Sequence, residues 1–307
     1  MAVACLHIAA LSLALRAPPG VPLRRTVAPR LAAVAAPPAL QRVDSRSVLP
    51  PKEAYNAFVE KGAANANMPG IKMFHQAFMG GLYIGVGGLL SLTISSGLAG
   101  AAALNPGVPR FVFGALFPMN LLLIHCTGGS LFTGNAGMVS AAVCEGRATV
   151  GQWFRACGLS FIGNVVGAGL FALATQYAGL LTGTVAAAAA TATANKCAAA
   201  FGPTLVKAII CNMLVCIAMF LAGAAQDLGG KMVGIWFPIS AFVCIGAEHS
   251  VANMFLLPLG LLADAPVSLG TALWKNMLPV TLGNAIAGIV FVAMSYSYAF
   301  GKLGASD

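Results

Sequence analysis

The chain has 307 residues, 59% of them hydrophobic and only 8% charged, and its mean hydropathy is +0.86. These values exclude a soluble globular domain and indicate a polytopic membrane protein, so function has to be sought inside the bilayer. The formal net charge of +9 does not point to nucleic acid. Arg16, Arg24, Arg25, Arg30, Arg42 and Arg46 stand in the first fifty residues with Asp44 as the one acid there; beyond residue 50, eleven basic and seven acidic residues leave an excess that loops flanking membrane helices explain.

Residues 1–48 do not read as fold. A short apolar segment (2–15) precedes an Arg-, Ala- and Pro-rich stretch almost without acids, and the two together resemble a bipartite presequence, signal-like and then plastid-transit-like. Residues 49–76 form an amphipathic N-terminal segment, with Ala54, Tyr55 and Phe58 on one side of a short helix over 51–61 that lies at the membrane surface. A six-helix transmembrane channel domain follows over 77–302, and 303–307 is a C-terminal tail.

Within that domain the first span is expected over 77–104, with Gly81 and Gly85 spaced for close helix approach. The run 111–144 is too long for one span and is interrupted at Thr127-Gly-Gly129 and again at Thr133-Gly-Asn135. The third span covers about 153–181, with Gly163 and Gly167 as a second close-packing pair. The Ala/Thr-rich stretch 182–200 reads as a low-complexity loop outside the core. The fourth span is 204–225 and the sixth 273–300.

The fifth, 232–262, would be roughly 45 Å long as one helix against a hydrocarbon core of about 30 Å. Gly246 and Ser250 bracket a break around Glu248 and His249, the strongly polar pair of the run. Irregular backbone at membrane depth is tolerated where it is buried in protein or lines a wet cavity, and an ionisable side chain there is a transport-path candidate. Breaks in the middle span of each three-helix half are the signature of an inverted 3+3 repeat with the site at the repeat interface. Lys72, Arg147, Arg155, Lys231 and Lys302 would then share one face with both termini.

Four segments carry a resemblance to a known family: Gly128-Gly-Ser-Leu-Phe-Thr-Gly-Asn135, Cys211-Asn-Met-Leu-Val-Cys-Ile-Ala218, Gly246-Ala-Glu-His-Ser-Val-Ala-Asn-Met-Phe255 and Asn276-Met-Leu-Pro-Val-Thr-Leu-Gly-Asn284. In this order they resemble the signature segments of the formate/nitrite transporter family over about residues 51–302. The resemblance implies an all-α homopentamer in the lipid bilayer, each protomer holding an aquaporin-like pore for small monovalent anions. It implies that His249 is the central pore histidine, Asn212 the asparagine beside it, Thr133 the loop threonine facing it and Glu248 the acid behind it. Lys196 matches a basic residue of the entry vestibule, and Phe117, Leu121, Leu131, Val215 and Phe242 match the apolar constrictions. Ser130 departs from the family's usual Glu, and Asn65 stands where a basic residue is common.

The residues themselves leave two classes of reading. In an anion channel, positive half-helix ends and His249 offset the charge of a small anion. In a membrane enzyme, Glu248 and His249 would hold a metal or haem, which needs ligands that the sequence does not group, since no His-x-x-x-His is present. A neutral-solute pore needs no central histidine. No catalytic residue, metal or cofactor is therefore expected. The eight cysteines are expected to be free, and His7, His75 and His125 to have no functional role. A plastid envelope address favours nitrite, with bicarbonate and formate as alternatives.

Overall fold

The structure, a computed structural model, describes residues 46–305. Most of the predicted presequence, with His7, lies outside these residues. Helix α1 (Pro51–Asn67) opens on a proline, whose missing N–H is no loss in a first turn, and α2 (Gly70–Ser96) opens behind Pro69. A short α3 (Ala99–Leu104) leads to α4 (Gly107–Leu116) and α5 (Met119–Thr127), which together make one 21-residue apolar span. Then come α6 (Phe132–Cys144), α7 (Val150–Tyr177), α8 (Gly183–Ala198), α9 (Phe201–Ala224), α10 (Leu228–Ile245) and α11 (Ser250–Leu262). The last span, α12 (Leu269–Phe300), contains π-helical stretches at Leu273–Met277 and Ala287–Met294. Six segments among the described residues are long and apolar enough to cross a membrane, and the chain is an integral membrane protein.

Two breaks organise the fold. Gly128 (φ 82°) and Gly246 (φ 79°) end α5 and α10 in the left-handed conformation, which suits glycine and closes a helix sharply. After each, the chain doubles back into the protein. Ala247 N donates to Phe242 O at 2.9 Å, and the His249 ring comes to lie 5.7 Å from the Phe242 ring. In the first half Ser130 N donates to Gln76 O at 3.0 Å. Each loop then starts a 13-residue half-helix, α6 or α11.

The half-helices run to opposite faces. Cys144 ends α6 beside Glu145, which accepts hydrogen bonds from Tyr55 Oη (2.8 Å), Ser297 Oγ (2.5 Å) and Lys302 N (3.2 Å), while Arg147 pairs with Glu60 at 2.7 Å. These contacts gather α1 and the end of α12 on one face, hereafter the terminal face. Arg155 reaches Met68 O and Lys231 reaches Ala225 O on the same face, so Arg147, Arg155, Lys231 and Lys302 of the predicted set share it. The end of α11 meets the end of α7 on the other face, where Gln176 donates to Leu262 O. The spans α2, α4–α6 and α7 are thus mirrored by α9, α10–α11 and α12. Close approach in each half rests on missing side chains: a Cβ on Gly167 would strike the Phe78 carbonyl, and one on Gly283 the Leu205 carbonyl.

Four expectations change. The first long helix is Gly70–Ser96 rather than 77–104, because Pro69 sets its start and Gly97-Leu98 separates it from α3. Helix α1 runs on to Asn67 and is not only a surface helix: Tyr55, Phe58, Val59 and Ala66 are buried. Thr133-Gly-Asn135 is no second interruption but the first turn of α6. The stretch 182–200 is not a loop. Alanine is the strongest helix former, and in α8 the small side chains Ala189 and Thr193 are buried, with Thr193 Oγ1 donating to Leu256 O of α11 at 3.0 Å.

Candidate functional site

His249 is 3% exposed and occupies the N-cap of α11, where its Nδ1 accepts from Ala252 N at 3.3 Å. With Nδ1 accepting, the neutral ring carries its proton on Nε2, which lies 3.0 Å from Thr133 Oγ1 and donates to it. The first turns of the two half-helices therefore meet through this one hydrogen bond. Asn212 of α9 uses both amide protons on backbone, donating to Thr133 O (3.2 Å) and Asn284 O (2.6 Å). It holds Thr133 in place, and neither residue lines the two larger cavities or the small chamber between them.

Each re-entrant loop is fastened by an asparagine of a neighbouring span. Asn164 of α7 accepts from Phe132 N (2.9 Å) and donates to Ser130 O (2.9 Å) and Ala77 O (2.7 Å). Asn284 of α12 accepts from Ser250 N (2.8 Å) and donates to Glu248 O (3.1 Å) and Ala208 O (2.8 Å). One carboxamide thus satisfies three backbone groups that the doubled-back chain would leave unpaired in hydrocarbon. The first N–H of each half-helix, Phe132 N and Ser250 N, is thus already occupied.

Around the loops the two halves differ in charge. Glu248 Oε2 accepts from Lys196 Nζ (3.0 Å), Asn253 Nδ2 (2.7 Å) and Asn276 Nδ2 (3.3 Å), with the ion pair largely buried. Counted from the glycine of each break, Ser130 corresponds to Glu248 and Asn135 to Asn253. There the network is neutral: Asn65 donates to Asn135 Oδ1 (2.8 Å) and Asn135 to Ser130 Oγ (3.0 Å). Where the second half holds an ion pair, the first half thus holds a chain of amides and a hydroxyl.

Two cavities enter from opposite faces. One of about 350 Å³ is lined by Arg110, Lys196, Glu248, His249, Phe117 and Phe242. The other, of about 290 Å³ on the terminal face, is lined by Lys61, Asn65, His125, Ser130 and Leu131. His125, for which the sequence offered no partner, thus faces a vestibule. Between the two sits a chamber of only about 10 Å³, and all five predicted constriction residues, Phe117, Leu121, Leu131, Val215 and Phe242, line it together with His249. Phe117 and Phe242 meet edge to face with centroids 6.3 Å apart.

Glu248 and His249 do not converge on a point: the carboxylate turns to Lys196 and the imidazole to Thr133. Among the described residues no group of three or more His, Cys, Asp or Glu is arranged to hold a metal ion. The reading from sequence missed the roles of Asn164, Asn253, Asn276 and Asn284. A signal existed, since an amide inside an apolar span must find partners or cost free energy, but sequence does not say which backbone group it meets.

The family model described as "Formate/nitrite transporter" matches residues 52–298. A "Probable formate transporter" of Methanothermobacter thermautotrophicus is 39% identical over 252 residues, covering 75% of this chain and 89% of the relative. The "Formate channel BtFdhC" of Bacillus thuringiensis is 32% identical over 260 residues, covering 82% and 96%. Among solved structures, an "FNT family ion channel" superposes with a TM-score of 0.73 at 30% identity, covering 80% of this chain and 98% of that one. A "Pentameric formate channel with formate bound" gives 0.68 at 25% identity, covering 76% and 98%. With the family model matching most of the described chain and a relative 39% identical over most of its own length, the chain belongs to the formate/nitrite transporter family.

Proposed function

We propose that the protein is a pore for a small monovalent oxyanion in which His249 offsets or removes the anion's charge at the centre of the membrane. The observation that carries this reading is the place of His249 at the wall between two opposed cavities, inside a constriction whose other lining residues, Asn120 excepted, are apolar. A bare anion in such a ring is expensive, because little there replaces its hydration. An imidazolium at position 249 pairs with it; a proton given by His249 lets it cross as the neutral acid. Lys196, paired with Glu248 at one vestibule, and Lys61 at the other draw anions to the mouths. Thr133 and Asn212 keep the ring of His249 in register.

Nitrite is the proposed physiological anion, with formate carried in the same way and bicarbonate as the alternative. The argument for nitrite is the leader: residues 1–48, read as a plastid presequence, would place the pore in a plastid envelope, across which nitrite must pass to be reduced. A reporter fused behind residues 1–50 is expected to enter plastids, and a reporter that stays in the cytosol removes the reason to prefer nitrite.

Purified full-length protein in liposomes should take up labelled nitrite and formate faster than empty vesicles, and bicarbonate more slowly than either. Uptake no faster than in empty vesicles for all three would refute the pore. A homopentamer is proposed as the assembly, with native mass spectrometry in mild detergent giving five copies; a stable monomer would contradict it.

A further inference from the structure

We infer that Asn120 is an oxyanion-selecting residue of the central chamber, donating a hydrogen bond from its carboxamide to the permeating anion; this rests on the pore reading above. Asn120 stands in the first turn of α5 between the constriction residues Phe117 and Leu121. It is 1% exposed, and its Nδ2 has no hydrogen-bond partner. A buried amide without a partner is destabilising, and leucine would fill much the same volume without that cost.

The surroundings admit the amide instead of an apolar group by a specific device. A Cβ on Gly87 of α2 would lie 2.8 Å from Asn120 Cβ and 3.0 Å from its Nδ2, so the glycine leaves the space in which the carboxamide sits. The fold does not require it: counted back from the two breaks, the corresponding residue of the other half is Pro238.

What Asn120 faces gives it a use. Apart from His249, every other residue lining the chamber is apolar. Both ring nitrogens of His249 are engaged, with Ala252 N and Thr133 Oγ1. The Asn120 amide is then the uncommitted donor in the chamber. At about 10 Å³ the space admits about one water-sized atom, so a passing anion sheds water there and needs a replacement donor. Oxygen atoms of nitrite, formate or bicarbonate accept such a bond well, whereas sulfur is a weak acceptor. Asn120 therefore favours oxyanions over hydrosulfide.

The test compares initial formate and hydrosulfide fluxes in liposomes holding wild type, Asn120→Leu or Asn120→Ala. Leucine removes the donor at similar volume, and alanine removes it while widening the chamber. The formate-to-hydrosulfide ratio should fall about tenfold in both variants, the factor that one lost hydrogen bond to a charged group produces. An unchanged ratio in the variants that assemble, with wild type carrying formate, overturns the role of Asn120 and leaves the pore standing. Should leucine prevent assembly, the alanine ratio decides. No formate flux in wild type would instead refute the pore itself.

Discussion

Exchanging His249 for asparagine is expected to leave the protein assembled while removing the pH dependence of anion flux. Asparagine can still cap Ala252 N through its Oδ1, as the imidazole Nδ1 does, while its shorter side chain gives up the direct bond of Nε2 to Thr133 Oγ1. What it lacks is a proton that can be exchanged. Either route proposed for the centre, pairing with an imidazolium or protonation of the anion, needs a proton delivered to His249 and so makes wild-type flux rise as the pH falls. In the variant the rise should vanish except for the part set by the anion's own protonation in water. Stopped-flow flux of formate and nitrite at several pH values, with equal protein per vesicle, measures both slopes. A variant with wild-type rates and wild-type slope would make the histidine a purely structural cap.

The second large effect is expected on stability. Asn284→Ala removes one carboxamide and leaves three buried backbone groups, Ser250 N, Glu248 O and Ala208 O, without that partner. Each unsatisfied group costs about 1–3 kcal/mol, so a loss of at least about 3 kcal/mol follows, at the severe end for a single substitution. The apparent thermal midpoint in detergent, read at one scan rate, should drop by several degrees and the yield of assembled oligomer should fall. Asn284→Asp keeps the acceptor for Ser250 N and loses both donors, so it should be damaged as well. Asn164→Ala should behave like Asn284→Ala, because Asn164 serves Phe132 N, Ser130 O and Ala77 O in the same pattern. An unchanged midpoint in either alanine variant would mean that water fills the gap and that the loops do not depend on the amides. The two predictions also separate the residues: His249→Asn alters flux in an intact protein, whereas Asn284→Ala destabilises the protein itself.

The sequence by itself determined the class of the fold. Six apolar runs appear in it because crossing hydrocarbon demands long apolar helices, and the two overlong runs, each broken at a glycine, reveal the repeat. The motif segments around Thr133, Asn212 and His249 pointed to residues that the fold does bring together, since the resemblance carries their positions as a set. What sequence did not determine is how the chain meets itself across long separations. That the backbone doubles back after Gly128 and Gly246 was not legible, because a break looks the same whether two half-helices continue in line or one of them re-enters. The helix α8 was hidden by its composition: alanine and threonine look like linker until the packing of Thr193 against Leu256 gives the helix a buried side. Asn164, Asn284 and Asn120 are equally polar letters in apolar runs. Tertiary structure alone gives the first two backbone partners from other segments and leaves the third facing the chamber beside His249, because a hydrogen bond depends on distance and direction in space, which hydropathy along a chain does not record.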